Sequence, residues 1–293
     1  MMRATLKATG IALALCVGSI LAAQRYPVTG LVLKIDRAHR TFVASCTAIP
    51  GYMDAMVMPI PVHEAKALDA LQPSVLVDFT LVVTKDDAYA ENIRIHHYQS
   101  VEVEPLQVQR LQLTAGIGQT EPAAGGLALG APVPDFTLTD QTGHPVSLSQ
   151  FAGKVLVSSF VYTRCPLPNY CFRLSNNLGR LQKRFADRMG RDLVLLSVTI
   201  DPVHDTPEVL AKYAAIWKAD AKSWHFLTGP EPEVRKVCHG FGVNFWPDEG
   251  TLTHSLHTII IDRQGKLAAN LEGNEYSAAQ LGDLAEAVLG RHP

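Results

Sequence analysis

The sequence predicts an α/β domain preceded by a small all-β barrel, and three observations carry that expectation. Residues 26–98 hold four segments of strand-like alternation separated by turn signals. Residues 128–293 alternate apolar strands with amphipathic helices and close on a hairpin and a last helix. Between them, Glu121 to Gly126 has linker composition, so residues 99–127 are the expected connection.

With 293 residues, 47% hydrophobic and 18% charged, the chain can bury two modest cores. The formal net charge is -2, and no Lys/Arg stripe is interleaved with aromatics. Nucleic acid is therefore not an expected partner, which leaves small ligands and other proteins.

Residues 1–23 read as an export signal, with Arg3 and Lys7 ahead of an apolar segment from Ile11 to Ala23 that ends in small residues. A membrane span takes about 20 apolar residues, and this segment is shorter. Cleavage near Ala23 is the first expectation and an uncleaved membrane anchor the alternative. Cys16 lies inside the segment behind Leu15, which is not the small residue that lipid attachment asks for. The chain is expected to be periplasmic or otherwise exported, where disulfides persist and a free thiol needs a reason.

In the barrel, TGLVLKIDR, RTFVASC, VLVDFTLVVT and AENIRIHH are the expected strands, with a helical insert around His63 to Leu71. The informative stretch is CTAIPGYMDAMVMPIPV. Met56 and Met58 are two apart and share one face of a strand, with Met53 just upstream. Together with Cys46 these thioethers are soft donors of the kind that select Cu(I). Methionine is more often flexible core filler, yet three of the chain's six fall between 53 and 58, which favours metal. His96 and His97 end the last strand. Adjacent residues face opposite sides of a strand, so these two cannot chelate one ion together and read as a solvated strand end.

The second domain is organised around KVLVSSFVYTRCPLPNYC, Lys154 to Cys171. Its β-branched apolar run suits a central strand covered on both faces, leading into a loop with two cysteines. Asn169 is placed to cap a helix through Leu174, Leu178 and Leu181, with Cys171 in its first turn, where the helix dipole would favour a thiolate. RDLVLLSVTIDPVHDTPEVLAKYAAIW adds a strand and a helix with Pro207 near its start. TLTHSLHTIIIDRQGKLAANLEG adds a strand, a turn at Gly265 and a returning strand, and YSAAQLGDLAEAVL closes with a helix. This order is thioredoxin-like. Four cysteines outside the signal allow three full pairings; Cys165 with Cys171 is the local one, and Cys238 reads as a small buried hydrophobe.

The runs FVYTRCP, SVTIDPVHDTP, WHFLTG and THSLHTIIIDRQG, in that order, resemble the Sco/SenC family. That resemblance implies one copper ion, Cu(I) or Cu(II), held by two cysteines and a histidine, and a role in maturing the copper centre of cytochrome c oxidase. Carried over by position, the ligands are Cys165, Cys171 and His254. His254 is preferred to His257 by its spacing to Gly265, and Asp201 and Asp205 shape the loop. The family usually spaces its cysteines C-x-x-x-C, whereas five residues separate Cys165 and Cys171; a minority form, C-P-L-P-N-F-C, is similar. In the first domain, CTAIPGYMDAMVM resembles the CusF-like copper-binding run H-E-A-I-P-G-[YF]-M-x-A-M-x-M, with Cys46 and Thr47 where that family has His and Glu.

The physical reading stands beside the resemblance. Two thiolates and an imidazole form a soft set suited to copper, and they bind only when both cysteines are reduced. Cys165 and Cys171 are also a candidate redox pair. The expected function is a copper chaperone whose partner is a copper acceptor, the copper-bearing subunit of cytochrome c oxidase above all. One alternative is an enzyme, a thiol-disulfide oxidoreductase that reduces the acceptor's cysteines. A remote alternative is a peroxiredoxin-like peroxidase, whose P-x-x-x-T-x-x-C pattern is not met.

Overall fold

The computed structural model describes residues 23–98, 113, 126–248 and 250–290. The signal reading of residues 1–22, Cys16 included, and nearly all of the expected linker lie outside the described residues. Among those described, no helix is long and apolar enough to cross a membrane.

The N-terminal unit is one antiparallel sheet of β1 (Gln24–Asp36), β2 (Thr41–Cys46), β3 (Met56–Pro61), β4 (Leu76–Val83) and β5 (Ala88–Ile95). Its order is β3-β2-β1-β4-β5. No ladder among the described residues joins the edge strands β3 and β5, so the sheet is not a hydrogen-bonded ring. The expected helical insert is a single 3-10 turn, Ala65–Leu68, which drives Leu68 into a core with Val32, Phe42, Ile60 and Phe79.

The C-terminal unit opens with a hairpin of β6 (Thr137–Thr139) and β7 (Pro145–Ser147). The central strands β8 (Val155–Val161) and β9 (Leu193–Thr199) are buried at every residue, as layers on both faces require. They run parallel to each other and to β10 (Trp224–Leu227). After a second hairpin, β11 (Phe245–Asp248) and β12 (Thr251–His254), the sheet is completed by β13 (His257–Ile261) and β14 (Leu267–Glu272) in the order β10-β9-β8-β13-β14. The helices are α1 (Arg173–Arg184), α2 (Pro207–Ile216), α3 (Glu231–Gly240) and α4 (Ala278–Leu289). Leu174, Leu178 and Leu181 bury one stripe of α1, and Ser277 with Gln280 forms a capping box at α4. This is the arrangement expected of a thioredoxin-like domain.

The two units dock. Leu31 and Leu33 of β1 belong to the core of the α/β unit. Ser45 Oγ donates to Asp283 at 2.6 Å, and its carbonyl accepts from Gln280 at 3.1 Å, both residues on α4. Ser74 Oγ donates to the Asn270 carbonyl of β14 at 3.1 Å.

Candidate functional site

Strand β8 ends at Val161 and delivers the chain into the cysteine loop, which the Asp201–Asp205 turn braces. Asp205 accepts from the backbone N–H of Thr163 at 3.1 Å, from its hydroxyl at 2.5 Å and from the Thr199 hydroxyl at 2.5 Å. Burial nevertheless pushes its carboxyl above the usual range. Asp201 takes the next residue, accepting from Arg164 Nη2 at 2.7 Å, and pairs with His204 Nδ1 at 2.8 Å. The two aspartates thus shape the loop from below, as the sequence suggested, by binding the residues just before Cys165.

Cys171 does not lie in the first turn of an α-helix. Residues Pro168–Phe172 form one wide π-type turn, Tyr170 departs from helical geometry at φ -109 and ψ -108, and the regular helix starts at Arg173 with Phe172 as its uncapped N-cap. Asn169 is not the cap; its carbonyl accepts from Asn274 Nδ2. The chain is extended at Leu167, as a residue before proline prefers, Pro168 opens the wide turn, and the non-helical Tyr170 separates that turn from the regular helix.

The thiol chemistry is correspondingly reversed from the expected one. Cys165 and Cys171 are both free thiols, Cys165 half-buried and Cys171 only 1% exposed. A hydrogen bond with Cys171 holds the Cys165 thiol down to about 6, assisted by backbone hydrogen bonds with Leu167 and Cys171. The same pairing, with burial, raises Cys171 well above an ordinary thiol. The two thiols are thus shifted in opposite directions, which favours the thiolate at Cys165 over one at Cys171.

His254 ends β12 and is buried. Its Nδ1 is 2.8 Å from the Ser255 carbonyl, which can only accept, so Nδ1 carries the proton and Nε2 is left with a free lone pair. That Nε2 stands 3.7 Å from Cys171 Sγ. Burial drives the imidazole pKa down to about 4, keeping it neutral. Tyr162 steadies the hairpin, its hydroxyl donating to the Leu252 carbonyl at 3.1 Å and its ring edge-on to His254 with centroids 5.9 Å apart. His257 is engaged elsewhere, its Nδ1 2.8 Å from Asn270 Oδ1.

With bonds of about 2.3 Å to sulfur and about 2.0 Å to nitrogen, as at zinc, two ligands about 120° apart sit about 3.7 Å from each other. Cys171 and His254 are already so spaced. Among the described residues no group of three His, Cys, Asp or Glu side chains is gathered closely enough to hold a metal as it stands. A three-donor site therefore asks Cys165 to close on the other two.

In the N-terminal sheet, Cys46 pairs directly opposite Met56, and Ala44 opposite Met58. Met56, Met58 and Ile60 alternate onto one face, where Met56 is 49% exposed at the strand's start while Met58 and Met53 pack against the core. Cys46 is buried, and burial raises its thiol to about 12. Cys238 is fully buried in α3, its thiol also raised by burial, in line with a small hydrophobe. His97 is exposed, while His96 sits 3.7 Å from Asp78 and 3.2 Å from Glu275 of the other unit. Sequence reasoning passed over Tyr162, Arg164 and Ser255, and weighed Thr163 only against the peroxidase pattern; their adjacency to Cys165 and His254 was the available signal.

The family model described as SCO1/SenC matches residues 128–289. The chain is 33% identical over 161 residues to the SCO1 protein homolog of Bacillus subtilis, covering 52% of this chain and 82% of that one. A solved structure from Aquifex aeolicus VF5 is similar with a TM-score of 0.50 and 21% identity, over 55% of this chain and 94% of that one, a likeness of fold. The crystal structure of yeast Sco1 with copper bound matches at 27% identity and a TM-score of 0.47, over 57% and 92%.

Proposed function

The chain belongs to the SCO1/SenC family through residues 128–289, and from that premise we propose that it is a copper chaperone, taking copper as cargo on Cys165, Cys171 and His254. The acceptor is the copper-bearing subunit of cytochrome c oxidase or another copper acceptor, and the export signal read in residues 1–23 supports action outside the cytoplasm. One observation carries the reading: the unprotonated Nε2 of His254 faces Cys171 Sγ at 3.7 Å, with the tautomer set by Ser255. Soft sulfur and imidazole donors favour copper. Cys165 is deprotonated near neutral pH, and Cys171 gives up its proton when it ligates. Half-buried Cys165 is the sulfur an acceptor can reach, whereas Cys171 and His254 hold the cargo from behind.

The N-terminal sheet has the place of a CusF-like Cu(I) collector, with Cys46, Met56 and Met58 as its donors. Cys46 and Met56 are paired across β2 and β3, and exposed Met56 gives metal a way in.

A second reading draws on the unequal thiols. Cys165 thiolate attacks one sulfur of an acceptor disulfide, releasing the other as a thiolate and leaving a mixed disulfide. Cys171 then loses its proton and attacks Cys165, which frees the acceptor's second thiolate and leaves Cys165 and Cys171 oxidised.

Copper content of the reduced chain tests the first reading, with Cys165→Ala/Cys171→Ala and His254→Ala compared to wild type. Loss of one copper in the double variant supports it, and unchanged content removes it. Reduction of an acceptor disulfide that survives in His254→Ala, after copper binding is lost, favours the second.

A further inference from the structure

Five residues, Gly273 to Ser277, join β14 to α4, and they touch both the cysteine loop and the N-terminal sheet. On one side, Asn274 donates through Nδ2 to the carbonyl of Asn169, which lies between Cys165 and Cys171. Arg173, the first residue of α1, donates to the carbonyls of Glu275 and Tyr276, both at 3.4 Å. On the other side, the Glu275 carboxylate stands 3.2 Å from Nε2 of His96, whose Nδ1 is 3.7 Å from Asp78. The ring of Tyr98 lies so close over Gly273 that it leaves no room for a Cβ there, and Gly273 has φ +78.

The segment has little freedom to absorb a movement. Tyr276 is buried and donates to Thr258 Oγ1 at 2.5 Å. Ser277 caps α4, whose Gln280 and Asp283 hold Ser45. Segment 273–277 thus joins the cysteine loop to His96 and Tyr98 through contacts on both sides.

We infer that Asn274 is a positioning residue for the Cys165–Cys171 pair, and that through segment 273–277 the docked N-terminal sheet biases that pair toward the dithiol. The inference rests on the two cysteines acting as a redox pair and is independent of copper. The contacts are made with both cysteines as free thiols. A disulfide brings the sulfurs to about 2.05 Å, a constraint on the loop between them that is absent in the dithiol form, where Asn274 contacts the Asn169 carbonyl. Whatever binds Asn169 in the dithiol form alone favours that form, and by linkage oxidation of the pair weakens the docking contacts in return.

The test equilibrates the full chain with glutathione buffers and reads the fraction oxidised by alkylation and mass spectrometry. Cys165 and Cys171 form one S–S bond and pass two electrons to one glutathione disulfide, whose S–S bond breaks; with the Cys171 proton and one from solvent it becomes two glutathione thiols. Loss of one hydrogen bond shifts the equilibrium about two- to tenfold, so Asn274→Ala is expected to move it toward the disulfide by that factor. Asn274→Ser, which keeps a donor, restores part of it. His96→Phe shifts it the same way by less, and the double variant goes no further than Asn274→Ala. A purely structural role lowers the unfolding midpoint and leaves the glutathione equilibrium in place. An unchanged equilibrium in Asn274→Ala overturns the inference, as do effects of Asn274→Ala and His96→Phe that simply multiply. Copper is absent throughout, so failure of the chaperone reading leaves this result intact.

Discussion

The imidazole Nε2 of His254 and the sulfur of Cys171, 83 positions apart in the chain, stand 3.7 Å from each other inside the C-terminal unit. The β11–β12 hairpin brings the histidine there, and Ser255 and Tyr162 hold it. A buried neutral imidazole beside a buried thiol supplies two of the three soft donors of the proposed site, with half-buried Cys165 as the third.

Replacing His254 by alanine should lower copper affinity far more than replacing His257, because His257 is committed to Asn270. Copper titration of the two reduced variants decides the matter. A larger loss in His257→Ala reverses the assignment.

Alkylation of the reduced, metal-free chain should reach half its maximal rate near pH 6 at Cys165, with Cys171 unreactive in that range. The folded-state pKa of Cys165 lies below the ordinary thiol value of 9.0. Its contribution to stability is therefore full above pH 9 and is lost as pH falls through about 6. Reactivity that rises only above pH 8 would show that Cys165 has no stabilised thiolate.

His254 carries a second pH signature. Burial takes its pKa from 6.5 to about 4, so the folded state favours the neutral ring. The corresponding stability is present above pH 6.5 and disappears as pH falls toward 4. Thermal unfolding of the metal-free chain should show this decline, and His254→Gln should flatten it. Parallel curves for the two proteins would count against a buried neutral histidine.

Asp205→Asn should destabilise the chain by about 1–3 kcal/mol, since the new amide nitrogen faces a hydroxyl or N–H donor and leaves a buried group unpaired. Urea unfolding measures the change. Faster alkylation of Cys171 should accompany it, because Asp205 fixes Thr163 at the root of the loop. A fall in stability without any change at Cys171 would mean that Asp205 supports the strand and not the site.

Met56→Ala with Met58→Ala should abolish Cu(I) uptake by the N-terminal sheet, and Cys46→Ser should weaken it. The readout is Cu(I) bound per chain in a background of Cys165→Ala/Cys171→Ala, which removes the second site. Uptake that survives the methionine changes identifies them as core filler.

Local chemistry settled much of this protein in advance. The apolar runs 155–161 and 193–199 could only be central strands, because β-branched residues without a polar face need layers on both sides. The spacing of Leu174, Leu178 and Leu181 announced a helix, while the loop-shaping role of Asp201 and Asp205 came from the resemblance to the Sco/SenC family. Cys165 with Cys171, and Met56 with Met58, were singled out by donor type and spacing, whereas His254 was singled out only through the resemblance to the Sco/SenC family. What the chain order could not decide was which cysteine is the thiolate, since that depends on burial and on one sulfur donating to the other across the loop. Nor did it show where α1 begins, because the wide turn at Pro168–Phe172, with Tyr170 outside helical geometry, intervenes before the regular helix starts at Arg173. The choice of free nitrogen on His254 and the docking of the two units through Ser45, Ser74 and Glu275 are likewise tertiary facts. Each depends on groups far apart in the chain meeting where water is excluded, and there a single hydrogen bond sets the charge and the geometry.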